Sequence, residues 1–158
     1  MKAWLAAAAV VLIAAAPAHA AFNPVDFFRG KTHGEGMLKI IFQSPKKMTV
    51  DSVGRSDGDG SLVLEQSVHE PGKPPRIRYW RMRQTAPDRF EGTLTDAASA
   101  VRVDVTKEGI RIRYTATNHL NFDQLLTPVS ATEVHDQIKI TRFGITVAHF
   151  DETIRKTD

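Results

Sequence analysis

The stretch from Ala100 to Thr117, "AVRVDVTKEGIRIRYTAT", decides the fold. Val101, Val103 and Val105 alternate with Arg102 and Asp104, and Ile110, Ile112 and Tyr114 alternate with Arg111 and Arg113. Period-two alternation on both sides of a Glu-Gly pair describes two strands, each with one apolar face, folded into a hairpin. With Glu108-Gly109 as a two-residue loop, Val105 faces Ile112, Val103 faces Tyr114 and Val101 faces Ala116, while Asp104 lies opposite Arg113. A slip by one residue would carry a charge into the core, so the faces are firmly specified.

The same alternation runs outward from this hairpin in both directions. Upstream it marks "LKIIF" (Leu38 to Phe42), "KMTVDSV" (Lys47 to Val53), "LVLEQSV" (Leu62 to Val68), "RIRYWRMR" (Arg76 to Arg83) and "RFEGTLT" (Arg89 to Thr95); two or three more strands fit between Leu125 and Lys156. Asp-Gly, Pro-Gly and Pro-Asp pairs punctuate them. About eight to ten short strands with short connections predict an all-β, antiparallel up-and-down meander, and closing it into a barrel removes its two edges. The inward set includes Phe42, Trp80, Met82, Tyr114, Ile138, Ile140 and Val147, with His149 in phase behind Val147. A barrel of this size is either filled by side chains or holds one small ligand.

Ahead of the strands, "NPVDFF" (Asn23 to Phe28) reads as one short helical turn with Asn23 as its cap and Pro24 at the first helical position. Phe27 and Phe28 are expected to plug one end of the barrel, and Gly30, Gly34 and Gly36 to let the chain turn tightly into strand one. Gly30-Lys31-Thr32 imitates the end of a phosphate-binding loop, but position 25 is valine where that loop needs glycine, and no strand precedes it. Still further upstream, residues 1–20 combine Lys2, an apolar run from Ala6 to Ala16, Pro17 and the small-residue triplet Ala18-His19-Ala20. That is the pattern of a cleaved signal peptide, and the run is shorter than the roughly 20 residues of a membrane-spanning helix. The expectation is a single barrel domain over residues 21–158, located in the periplasm or outside the cell.

Composition narrows the chemistry. The chain has no cysteine, which excludes disulfides, thiolate metal sites, a cysteine nucleophile and a lipid-bearing cysteine. A net charge of only +3 argues against a nucleic-acid binder. His33, His69, His119, His135 and His149 lack the spacing of a compact zinc motif, and the aspartates of "DSVGRSDGDG" lack the ligand order of a calcium loop. No nucleophile, base and acid constellation is visible, so no catalytic residue, metal or cofactor is expected. Arg76, Arg78, Arg81, Arg83, Arg89, Arg102, Arg111 and Arg113 crowd the middle strands, where they offer either a mixed solvated surface or a patch for peripheral contact with anionic lipid.

"FFRGKTHGEGML", "RIRYWRMR", "DRFEGTLTDAAS" and "TRFGITVAHF" resemble, in order and spacing, the bacterial envelope family catalogued as domain of unknown function 3833. The matching positions are Phe27, Phe28, Gly30, Gly34 and Gly36, then Arg78 and Trp80, then Phe90, Gly92 and Asp96, then Arg142, Phe143 and Gly144 in a strand near the C-terminus. "NFDQLLTP" replaces the family's usual Asp-Trp segment, and "HDQ" its Asn-Arg pair. The resemblance implies a lipocalin-like barrel with a late basic residue closing its floor, and a lipid as ligand. The resulting expectation is an exported binding protein for a small apolar or amphipathic molecule, a lipid or fatty acyl chain, with Trp80, Met82, Tyr114, Gln66 and His149 around the ligand. The competing expectations are a filled barrel acting as an envelope interaction or assembly-accessory protein, and an enzyme acting on lipids.

Overall fold

The computed structural model describes residues 22–158, so the expected signal segment lies outside the described residues. A short helix, α1 (Pro24–Phe28), leads into ten strands: β1 (Gly30–Ile40), β2 (Lys46–Ser56), β3 (Leu62–His69), β4 (Arg76–Ala86), β5 (Arg89–Leu94), β6 (Val101–Val105), β7 (Ile110–Thr115), β8 (Asn121–Pro128), β9 (Glu133–Arg142) and β10 (Ile145–Lys156). Each strand pairs antiparallel with its sequence neighbours, and β1 also pairs with β10, which closes the circuit and leaves no edge. The fold is the closed antiparallel up-and-down barrel that the alternation predicts, with the lipocalin-like layout that the resemblance implies. In α1, Asn23 accepts a hydrogen bond from the Val25 amide at 2.8 Å and Pro24 occupies the first turn.

One half of the barrel is solid. Leu62, Met82, Phe90, Val103, Ile110, Leu126 and Val134, near the strand ends closest to α1, are buried together beneath Phe27 and Phe28. The two phenylalanine rings meet edge to face at 5.0 Å. Lys156 Nζ fastens this floor by donating to the carbonyls of Phe27 at 2.8 Å and Arg29 at 2.6 Å, and it stands 5.9 Å over the Phe27 ring. This is the late basic residue implied by the family resemblance.

Five local expectations need correction. In the β6–β7 hairpin, Val105 pairs with Ile110 and Val103 with Ile112, a register two residues from the expected one. The loop holds four residues because the Thr106 amide donates to the Gly109 carbonyl at 2.7 Å, and the Thr106 hydroxyl receives the Glu108 amide at 3.3 Å. A shift of two preserves both faces, and Asp104 still reaches Arg113 diagonally at 2.8 Å. Strand one begins at Gly30, so Gly34 and Gly36 lie inside β1 instead of before it. Phe42 is fully exposed in the β1–β2 turn, and Phe143-Gly144 forms the turn between β9 and β10 instead of lying in a strand. Finally, the β9–β10 register shifts between Thr146 and Ala148, so Ala148, Phe150, Glu152 and Ile154 point inward and His149 points out.

Candidate functional site: a cavity in the open half of the barrel

Above the packed floor the barrel encloses a cavity of about 290 Å³ that extends from Phe28 to Arg76 and to Leu120 of the β7–β8 turn. Leu38, Met48, Val50, Phe122, Ile138 and Phe150 give it apolar walls. Arg76 is 61% exposed at the rim, so the mouth lies at the end opposite α1.

Of the residues expected around a ligand, Trp80, Met82, Tyr114 and Gln66 line this cavity, together with Phe28 of the plug. His149 does not, because the β10 register shift turns it to the outer face. The Trp80 indole donates to the Gln66 side-chain carbonyl, and Trp80 meets Tyr114 edge to face at 5.9 Å. Tyr114 in turn stacks on Phe122 at 4.7 Å. Arg78 joins this cluster from β4: it donates to the Tyr114 hydroxyl at 3.0 Å, lies 5.4 Å over the Trp80 ring, and is only 15% exposed. Its outer contact is Asp96, whose carboxylate stands 3.4 Å from Arg78 Nε. Burial pushes the Tyr114 hydroxyl above its ordinary pKa, against the opposing pull of Arg78, so Tyr114 is neutral and able to donate.

The opposite wall carries two carboxyl groups that were not anticipated. Asp136 on β9 and Glu152 on β10 are directly paired across the strands, 1% and 5% exposed, and both line the cavity. Strand β4 stands five strands from β9 in either direction round the circuit, so Arg78 and the carboxyl pair occupy facing walls. Gln124 donates to Asp136 Oδ2 at 2.6 Å, while Asp136 Oδ1 and Glu152 Oε1 have no hydrogen-bond partner. Burial pushes the Glu152 carboxyl up to about 8, with the distant charges of His33 and Arg78 pulling the other way. Asp136 is raised as well, first by burial and then by Glu152. Gly34 and Gly36 make room for this wall: a Cβ on Gly34 would strike the Glu152 carboxyl, and one on Gly36 would strike the Asp151 carbonyl and the Phe150 ring. Asp136 was legible in principle, since it alternates with Ile138 and Ile140. Glu152 was hidden by the register shift.

The remaining polar clusters face outward. His33 contacts Asp51 at 2.7 Å and Glu35 at 3.5 Å, and the bond to Asp51 raises its pKa despite some burial. Among the described residues, no three His, Cys, Asp or Glu side chains gather as metal ligands. Most arginines of the middle strands are engaged by acids: Arg76 pairs with Asp96, Arg81 with Asp57 and Asp59, Arg111 with Asp123, and Arg89 and Arg113 with Asp104, while Arg83 and Arg102 make no ion pair among the described residues.

The sequence matches the family described as "Protein of unknown function (DUF3833)" over residues 4–156, nearly its whole length. The chain belongs to the DUF3833 family. No curated protein matches it. Among solved structures, this DUF3833 barrel is similar to the S-type phycobiliprotein lyase CPES of Guillardia theta, with a TM-score of 0.69 at 6% identity over 85% of this chain and 90% of that one. It is also similar to Rv2717c of M. tuberculosis, with a TM-score of 0.66 at 14% identity over 86% and 99% of the two chains. A protein of unknown function from the DUF3598 family of Nostoc punctiforme aligns at a TM-score of 0.64 and 12% identity over 84% of this chain, which spans 48% of that longer one. At such identities these likenesses concern the fold alone. Among the described residues of the DUF3833 barrel, no helix is long and apolar enough to cross a membrane.

Proposed function

We propose that this DUF3833 protein is an exported, lipocalin-like carrier of a small amphipathic molecule, a lipid bearing a single fatty acyl chain. The observation that carries the reading is the cavity of about 290 Å³, walled by aliphatic and aromatic side chains and open at one end. Its volume lies at the small end of the ~300–1,000 Å³ of ligand pockets, which suits one chain better than two. An anionic head group has one favourable wall, where the Arg78 guanidinium, held by Tyr114 and Trp80 and backed by Asp96, lines the cavity. The two cations lining the cavity, Arg76 and Arg78, both lie on β4, so the head is oriented toward that wall. The sequence pattern of residues 1–20 supports export.

The test is native mass spectrometry of the protein purified from its own envelope, combined with titration of Trp80 emission by fatty acids of increasing length. The expected result is a bound acyl mass and a saturable emission change that is lost in a Trp80→Phe control. Arg78→Ala should weaken fatty-acid binding by about tenfold, the loss of one charge-assisted hydrogen bond. Neither bound mass nor emission response across fatty acids would sink the carrier reading.

A further inference from the structure

The three most exposed large apolar side chains of the described residues, Phe42, Phe143 and Ile145, sit at the cavity mouth. Phe42 is 102% exposed in the β1–β2 turn and Phe143 83% exposed in the β9–β10 turn, flanked by Ile41 at 46% and Ile145 at 66%. The two turns are neighbours, because β1 and β10 pair up to Ile40 and Ala148 and the Ile41 amide donates to the Val147 carbonyl at 3.0 Å. Both phenylalanines hold left-handed backbone, φ 61° for Phe42 and φ 50° for Phe143. Bulky residues avoid that region, and a two-residue hairpin turn such as Phe143-Gly144 ordinarily takes asparagine or aspartate first. Neither ring gains burial in return, so packing of the barrel does not explain the choice; strain of this kind is characteristic of functional positions.

Within the two turn segments themselves the charge has one sign. Neither 36–50 nor 137–150 contains an aspartate or glutamate, whereas they hold Lys39, Lys46, Lys47, Lys139 and Arg142. Lys46 is engaged by Glu70, and Lys47 approaches Glu35. Among the described residues, Lys39, Lys139 and Arg142 make no ion pair, and Arg142 lies 5.4 Å over the Phe143 ring. Lys39, His149 and Lys139 form a cross-strand row on the outer face, set back from the tips.

We infer that the β1–β2 and β9–β10 turns dock the mouth of the barrel onto an anionic lipid membrane, with Phe42, Ile41, Phe143 and Ile145 entering the interface and the basic row meeting the head groups. Exposed apolar tips backed by unpaired cations match the two forces of peripheral membrane binding, burial of apolar area and attraction to anionic lipid. The surface differs from the middle strands, where six of the eight arginines are paired with acids. The docked mouth would face the membrane, giving a single-chain lipid a path between bilayer and cavity that avoids bulk water.

The absence of cysteine permits a site-specific test. An environment-sensitive dye is placed at Ser44→Cys in the β1–β2 turn, or at Ser130→Cys at the opposite end as control. Residues 22–158, which contain every strand of the closed circuit, are mixed with phosphatidylcholine vesicles with or without about a third phosphatidylglycerol. The expected result is a blue shift at position 44 alone, and binding at least about tenfold stronger to the phosphatidylglycerol vesicles. Phe42→Ser with Phe143→Ser should abolish the shift while leaving thermal unfolding and the Trp80 response to soluble fatty acid unchanged. Equal vesicle binding by this double variant, a response at position 130 instead of 44, or a variant that changes only self-association would overturn the inference. A missing Trp80 response alongside normal vesicle binding would fail the carrier reading only.

Discussion

Glu152 and Asp136 face each other inside the barrel with only the Gln124 amide donating to them. Burial in this poorly solvated wall penalises the ionised form of both carboxyls, and at Asp136 the neighbouring Glu152 adds repulsion, so the folded barrel retains protons that the unfolded chain releases. For Glu152 the window runs from its ordinary 4.5 to about 8. Within it the unfolded state binds fewer protons than the folded one, so stability falls as pH rises and the penalty is complete above the upper limit. At 1.36 kcal/mol per pH unit this is on the order of a few kcal/mol. Glu152→Gln keeps the shape and removes the titration, so its melting temperature should decline less than wild type between about pH 5 and pH 9 and exceed it at the alkaline end. Parallel wild-type and variant melting curves across that range would contradict the assignment. The pair was half legible: Asp136 shares the phase of Ile138 and Ile140, whereas a single register shift disguised Glu152.

At the scale of elements, alternation located strands well because burial of one face imposes period two regardless of neighbours. It placed the β6–β7 hairpin on the right faces and missed its register by two, since both registers present the same side chains inward. What distinguished them was the Thr106 hydroxyl and amide closing a four-residue loop, a contact with no periodic signature. The junction of α1 with the barrel is likewise a matter of particular atoms. Lys156 Nζ holds the carbonyls of Phe27 and Arg29, which otherwise have no listener at the end of so short a helix. Lys156→Met should therefore lower stability by about 1–3 kcal/mol, seen as a lower urea midpoint with an unchanged slope. A midpoint equal to wild type would show that the floor does not depend on this strap.

For the whole molecule, closure into ten strands creates an interior wider than its own side chains fill. The α1 half is packed by buried aliphatic and aromatic residues, while the largely apolar walls of the other half do not meet and leave a cavity between them. Closure also gives the charges their arrangement, with mostly ion-paired arginines on the middle strands and the unpaired Lys39, Lys139 and Arg142 toward the β1–β2 and β9–β10 turns. Arg111→Gln, which breaks a half-exposed pair with Asp123, should cost at most about 1 kcal/mol after solvent screening and leave vesicle binding unchanged. Arg142→Gln, by contrast, should weaken binding to anionic vesicles measurably while leaving the melting temperature alone; equal effects of the two variants would show attraction by net charge instead of by the mouth. By itself the sequence determined the all-β class, the strands, most inward faces and the helical plug, because these follow from local turn chemistry and from the two-residue period of a half-buried strand. Only the tertiary structure decided that the cup is half full, that a carboxyl pair faces Arg78 across it, and that His149 lies outside while Phe42 and Phe143 crown its mouth. Those features depend on which strands become neighbours on closure and on one register shift in the last of them, and neither is encoded in any local pattern.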